Sequence, residues 1–281
     1  MKRRNRSLAR RSIGLAGLPN VTAALATTAL ISTALAGCAS GTGAASSSSN
    51  SESEPVSVFA AASLTDVLPQ LEDAFTRSHP GAESVEFTEN LAGSQTLVQH
   101  INEGAQPDVL ITADAASIQA LDTPDAFVNQ GILATNELVL AVPSDSDVTT
   151  SGEFLQLLSA NPDTRVATCA PSVPCGRATE TFLEAQNLNL ATVSEEADVR
   201  SVLSKVIAGE VDGGFVYATD AQSAGDSVKS VQLPDAPSNK YPILTSTDAA
   251  TEAQDFGAWL RGEQAQEILL DAGFETTSQR P

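Results

Sequence analysis

The chain is poor in positive charge. Of its 281 residues only 15 are Lys or Arg, against 35 Asp or Glu. Six of the 15 (Lys2, Arg3, Arg4, Arg6, Arg10 and Arg11) fall at the extreme N-terminus, so a body processed after that stretch carries nine basic and 35 acidic residues, a net −26. Such a body does not hold nucleic acid or an anionic membrane surface by long-range attraction. If its ligand is an anion, the global field opposes binding and local hydrogen-bond donors must do the work. Histidine is nearly missing too. His79, beside Pro80 at a helix end, and His100, on a helix, both read as surface residues. A serine nucleophile would need one of them as its base, and no Gly-x-Ser-x-Gly is present. Tyrosine occurs only at 217 and 241, too few for an iron site of clustered phenolates. A Gly-x-x-x-x-Gly-Lys-[Ser/Thr] loop is absent, so the chain does not hydrolyse nucleotide in that way.

Cysteine is used three times. Cys38 ends Leu35-Ala36-Gly37-Cys38, small residues leading to a cysteine behind a basic start and an Ala/Leu-rich run. This is the pattern of a bacterial lipoprotein signal rather than a membrane span, and it predicts cleavage before Cys38 with lipid attached to that residue. Arg10-Arg11 hints at twin-arginine export, but Gly14 stands where an apolar residue is wanted. The Ser-, Gly- and Ala-rich stretch to residue 55 reads as a flexible tether. The remaining pair, Cys169 and Cys175, is separated by Ala-Pro-Ser-Val-Pro. In an exported protein the simplest reading is a disulfide; zinc is the alternative, but it lacks further ligands nearby.

Patterning over the body gives short apolar strands alternating with helices, an α/β arrangement expected to build parallel sheets covered on both faces. Expected strands are 56–60, 85–88, 108–112, 138–142, 165–168, 214–217, 228–233 and 241–244. Expected helices are 64–77, 94–102, 115–121, 152–158, 176–186, 199–208, 218–223, 251–261 and 264–272. The runs at 138–143 and 240–244 read as two crossings between lobes. The expected organisation is therefore a signal at 1–37, the lipidated cysteine and tether at 38–55, a first lobe from 56–138 plus 240–281, and a second lobe from 139–239.

Several helix starts carry the same device. Val56-Ser-Val-Phe-Ala-Ala-Ala-Ser63 is a strand running into small residues and a serine, with Asp66 placed for a capping box. Free N–H groups in a helix's first turn, joined by a hydroxyl, make an anion site; equally, Ser63 could simply cap its own helix. Ala92-Gly93-Ser94 opens a second helix. Pro174-Cys175-Gly176 leads into a third, and Asp198-Val199-Arg200 into a fourth, with Asp198 as cap and the Val199 N–H free. Gly213-Gly-Phe-Val-Tyr217 ends a strand in a phenol donor. Together they suit an oxyanion held by neutral donors. Arg200 could pair with the anion directly, although a salt bridge to an acid neighbouring it on the helix is the preferred reading.

With these residues in view, the chain resembles the molybdate-binding proteins of bacterial ABC importers. The resemblance runs from about Pro55 to Phe274 and is carried by Phe59-Ala-Ala-Ala-Ser-Leu64, Ala92-Gly-Ser-Gln-Thr-Leu97, Pro107-Asp-Val-Leu-Ile-Thr-Ala-Asp114, Pro174-Cys-Gly176, Asp198-Val-Arg200 and Gly214-Phe-Val-Tyr217. It implies a two-lobed periplasmic-binding-protein fold, type II-like, with the ligand in the cleft between lobes. It also implies the hydroxyls of Ser63, Ser94 and Tyr217 as ligand donors, with the backbone N–H groups of Cys175 and Val199. Cys175 departs from the alanine common in the family, which is tolerable if only its amide is used. The implied role is capture of molybdate, and tungstate with it, for an ABC permease and its ATPase. The protein would be a monomer with no cofactor and no enzymatic activity, anchored outside the cytoplasmic membrane through its lipid alone. The alternatives are a surface-anchored binder of another tetrahedral oxyanion, a serine-dependent hydrolase using Ser63, and an adhesion or sensing protein.

Overall fold

The structure, a computed structural model, describes residues 54–190 and 193–276. The expected signal, Cys38 and nearly all of the tether lie outside the described residues. Five strands form a first sheet. In it β1 (Val56–Ala61) lies parallel between β2 (Phe87–Ala92) and β3 (Val109–Ile111). A long strand, β4 (Phe127–Pro143), starts in this sheet and ends in another. In the second sheet β5 (Val166–Cys169) lies parallel between β6 (Val193–Glu196) and β7 (Gly213–Tyr217). The end of β4 runs antiparallel to β7 on one side and to β8 (Val228–Gln232) on the other. The last strand, β9 (Ser238–Ser246), returns beside β4 and closes onto β3, antiparallel to both.

The sheets are therefore mixed rather than wholly parallel, because the two connecting strands run against their neighbours. β4 is 17 residues long, where the sequence shows only the run at 138–142. Its first part is half-exposed and interrupted by register shifts at Asn129/Gly131 and Ile132/Thr135, so it carries no clean apolar alternation. β6 has the sequence Val-Ser-Glu-Glu and sits at a sheet edge, where polar residues are tolerated and the apolar signal is lost. β2 lies a few residues later than expected.

Helices α1 (Leu68–Ser78), α2 (Ser94–Asn102) and the short α3 (Ala115–Ile118) follow β1, β2 and β3. Helices α4 (Ser151–Ala160), α5 (Pro174–Ala185), α6 (Val199–Ile207) and α7 (Ala218–Ser223) accompany the second sheet, and α8 (Thr251–Trp259) and α9 (Glu263–Asp271) end the fold. In α1 Leu68, Leu71 and Phe75 recur at helical spacing and are fully buried, which is the stripe that seats it on the first sheet. They join Phe256, Leu260 and Leu269 in one core. Val202, Leu203 and Val206 of α6 do the same for a second core with Phe182 and Phe215.

Candidate functional site

The parallel strands bring their carboxyl ends together, the place where open α/β sheets bind ligands. Ala61 at the end of β1 stands opposite Ala92 at the end of β2. The residues that follow, Ala62-Ser63 and Gly93-Ser94, thus leave the first sheet side by side. From the second sheet come the loop after β5 into α5, the loop after β6 into α6, and Tyr217 at the end of β7. All five residues singled out in the sequence line one small cavity, with about 10 Å3 of water-accessible space, and Ala113 joins them. It is an enclosed site: Ser94 and Tyr217 are each 1% exposed and Ser63 6%.

The local structures are partly those expected. α2 begins at Ser94, whose amide precedes any intrahelical acceptor, and Ser94 Oγ accepts from the Ala113 N–H at 3.0 Å. Asp198 caps α6 by accepting from the Ser201 N–H at 2.8 Å, which leaves Val199 as the first helical residue. Cys175 lies in the first turn of α5, tied by its disulfide to Cys169 with the two Cα atoms 5.6 Å apart. That turn packs tightly: a Cβ at Gly176 would stand 2.0 Å from the Ala170 carbonyl oxygen, so only glycine fits.

Ser63 differs from the expectation. A 3-10 turn spans Ala62–Leu64 and α1 begins only at Leu68, with Pro69 in its first turn. No capping box forms between Ser63 and Asp66. The Ser63 hydroxyl lies 2.8 Å from the Tyr241 hydroxyl instead, and Asp66 is taken by Arg200 at 2.7 Å. The 3-10 turn leaves its first N–H groups without an internal acceptor, as a helix start would.

No lysine or arginine lines the cavity. Two arginines flank it, each already committed. Arg177 of α5 holds Asp114 Oδ2 through Nε at 2.8 Å and Nη2 at 2.7 Å, and reaches Ser117 Oγ at 3.0 Å. Arg200 of α6 pairs with Asp66, and with Asp220 at 3.4 Å. Both acids belong to other elements, so the Arg200 bridge is not the same-helix pair expected. Both arginines tie elements of the second sheet to elements of the first. Asp220 is fully buried; burial pushes its carboxyl up to about 7, while the nearby Arg200 guanidinium pulls it down. It also accepts from the Tyr217 N–H at 3.2 Å, which anchors the tyrosine. Burial holds the Tyr217 phenol well above its usual range, so it stays a hydroxyl donor at neutral pH.

Neither imidazole is near. His79 stacks on Phe75 and lies 3.5 Å from Asp255, and His100 approaches Asn90 at 3.3 Å; neither lines the cavity. The arrangement presents hydroxyl and amide donors, with Asp198 as the carboxylate on the wall. Of the residues that sequence reasoning missed, Ala113 lines the cavity, and Asn136, Asn239 and Tyr241 stand behind it. Ala113 falls inside the quoted run 107–114, whereas the two asparagines sit in polar stretches with no signal of their own.

The family described as "Bacterial extracellular solute-binding protein" matches residues 56–275. The molybdate-binding protein ModA of Mycobacterium tuberculosis is 33% identical over 255 residues, covering 88% of this chain and 94% of that protein. Among solved structures, the substrate-binding domain of a putative molybdenum ABC transporter from Clostridium difficile is 26% identical with a TM-score of 0.58, over 79% of this chain and 99% of that one. The periplasmic molybdate-binding protein of Azotobacter vinelandii, 21% identical over the same shares, has a TM-score of 0.63 and the same fold. With two sheets presenting donor-rich strand ends to one enclosed cavity and a match across nearly all of the described residues, the chain belongs to the family of bacterial extracellular solute-binding proteins.

Proposed function

We propose that this protein captures molybdate, and tungstate of nearly the same size, outside the cytoplasmic membrane and delivers it to an ABC permease with its ATPase. The observation that carries the reading is the enclosed cavity lined by Ser63, Ser94, Tyr217 and the helix starts at Cys175 and Val199, with no lysine or arginine on its wall. A tetrahedral dianion is satisfied there by neutral donors and by the partial positive charge of helix N-termini. Relatives named as molybdate-binding support the same ligand. In this reading residues 56–138 and 240–281 form one lobe and 139–239 the other. The anion bridges donors from both lobes and favours the closed state, since only that state engages both sets. The lipobox at Cys38 anchors the protein to the membrane, and it acts as a monomer without cofactor or catalysis.

The test is calorimetric titration of the mature protein with molybdate, tungstate, sulfate and phosphate. One-to-one binding of the first two with little sulfate response is expected. Hydrogen bonds to a charged partner contribute about 1.5–3 kcal/mol each. Ser63→Ala and Ser94→Ala should therefore each weaken binding about ten- to hundredfold without loss of fold. Retained affinity in the double variant would remove these residues from the site.

A further inference from the structure

The three hydroxyls that line the cavity are each held from behind. For Ser94 and Tyr217 the direction of the hydrogen bond follows from backbone groups that can only donate or only accept; for Ser63 it follows through a side-chain relay. We infer that Asn239, Asn136 and Tyr241 are positioning residues that force Tyr217 and Ser63 to present protons rather than lone pairs to the ligand. This polarity selects fully deprotonated tetrahedral oxyanions over protonated ones. The inference rests on the oxyanion reading and deepens it by naming the residues that set specificity.

Ala113 is the anchor. Its N–H lies 3.0 Å from Ser94 Oγ. An amide N–H cannot accept, so Ser94 accepts there and its own proton is left for the cavity. The Ala113 carbonyl, in turn, lies 2.9 Å from Asn239 Nδ2. A carbonyl cannot donate, so the end of Asn239 facing it must be the NH2. The same nitrogen stands 2.6 Å from the Tyr217 hydroxyl. Its second hydrogen goes to that oxygen, Tyr217 accepts, and the phenol proton turns to the cavity that Tyr217 lines.

Ser63 is set by a longer relay. The Glu137 N–H donates to Asn136 Oδ1 at 3.1 Å, which fixes the asparagine's other end as NH2. That group donates to Thr219 Oγ1 at 2.7 Å and to the Tyr241 hydroxyl at 3.4 Å. The Tyr241 and Ser63 hydroxyls lie 2.8 Å apart, where either can donate; with Asn136 on one lone pair of Tyr241, we assign Tyr241 as the donor, and Ser63 then offers its proton forward. Because its Asn136 contact is long, this relay constrains Ser63 less tightly than Asn239 constrains Tyr217. Asn136, Asn239 and Tyr241 are all buried, so solvent does not scramble these directions. The one carboxylate on the cavity wall, Asp198, is turned onto the Ser201 N–H and hydroxyl at 2.8 and 3.2 Å, one bond to each of its oxygens. A protonated oxyanion entering here brings a further donor to the three hydroxyls and the helix-start amides, and a buried donor left unpaired is costly. That is the same penalty by which polar sites reject ligands lacking the right partner.

The experiment titrates the mature protein and two variants, Asn239→Asp and Tyr241→Phe, with molybdate and with inorganic phosphate at a pH where monohydrogen phosphate dominates. A carboxylate at 239 accepts from Tyr217, and a carboxylic acid there gives its proton to Ala113 and still accepts from Tyr217. In both states the phenol proton is drawn away from the cavity. Asn239→Asp should weaken molybdate binding about tenfold or more while phosphate holds or strengthens, so the molybdate-to-phosphate ratio falls by at least about tenfold. Tyr241→Phe keeps the ring, frees Ser63 to turn its lone pair inward, and should lower the ratio in the same direction by a smaller factor. A merely structural loosening would weaken both anions alike. Equal weakening, or an unchanged ratio in both variants, overturns the positioning role. Silence of the unaltered protein toward molybdate would instead remove the oxyanion reading on which it rests.

Discussion

Gly93→Ala separates closure from folding. Gly93 sits before α2 with φ −58° and ψ 138°, angles that alanine adopts freely, so the substitution introduces no backbone strain. Its obstacle is across the cleft. A Cβ built at residue 93 lies 2.3 Å from the carbonyl oxygen of Ala197, which stands just ahead of α6 in the second sheet's half of the molecule. The side-chain amide of Gln95, also within 2.7 Å, is the end of a flexible chain and can swing aside; the carbonyl cannot. Restoring ordinary contact needs a retreat of about 1 Å. Gln95, which bonds that same carbonyl at 2.9 Å, would lose its contact too. A ligand whose donors come from both sides cannot keep hydrogen-bond distances to both after such a shift. Losing one or two charge-assisted bonds at about 1.5–3 kcal/mol each predicts a Kd raised by roughly two orders of magnitude or more. The melting temperature without ligand should stay within a few degrees, since alanine in place of glycine at a helix cap costs about 1 kcal/mol. Calorimetry gives the Kd, thermal melting the stability, and small-angle scattering the failure to compact on adding molybdate. A Kd within twofold of the unaltered protein would show that Ala197 does not approach Gly93 in the ligand-bound state, and the reasoning would fail.

Two further outcomes test stability and site stiffness. Glu72 is buried with one carboxylate oxygen unpartnered, and burial, followed by the hydrogen bond and charge of Glu89, pushes its carboxyl up to about 9 from 4.5. Because the folded state holds the proton more tightly, this stabilising contribution is complete below about 4.5 and is lost as pH rises toward about 9. Glu72→Gln should therefore melt like the parent in acid and higher than it in mild alkali; parallel melting curves across that range would contradict the burial argument. Opening the Cys169–Cys175 bridge frees the turn that presents the Cys175 N–H. Loop entropy alone puts the stability cost at about 2 kcal/mol, and reduction should also weaken molybdate binding. An unchanged titration after confirmed reduction would uncouple the bridge from the site.

Much of the fold was legible because it rests on local pattern. The helix at 94–102 falls where periodicity places it, since its stripe of Leu97, Val98 and Ile101 is encoded within two turns, and the short helix at 218–223 also falls where expected. Asp198 reads as a cap because an aspartate before an apolar helical run has few better uses. The first half of β4 and all of β6 escaped notice because their pairing partners, not their own apolar content, make them strands. Ser63 looked like a helix cap because the local spacing to Asp66 permits it. The actual partners, Tyr241 for the serine and Arg200 for the aspartate, are more than 130 residues away in sequence.

By itself the sequence determined an acidic α/β chain with a closely spaced cysteine pair and five small-residue or donor-bearing strand ends. These are matters of composition and short-range spacing, and they need no knowledge of what each segment touches. Only the tertiary structure decided that the five ends meet in one cavity, that Arg177 and Arg200 are taken by carboxylates at its edge, and which groups stand behind the hydroxyls. Those outcomes depend on pairs such as Asn239 with Ala113 and Tyr241 with Ser63. Hydrogen-bond direction is a property of two atoms brought together, and chain folding alone brings them within reach.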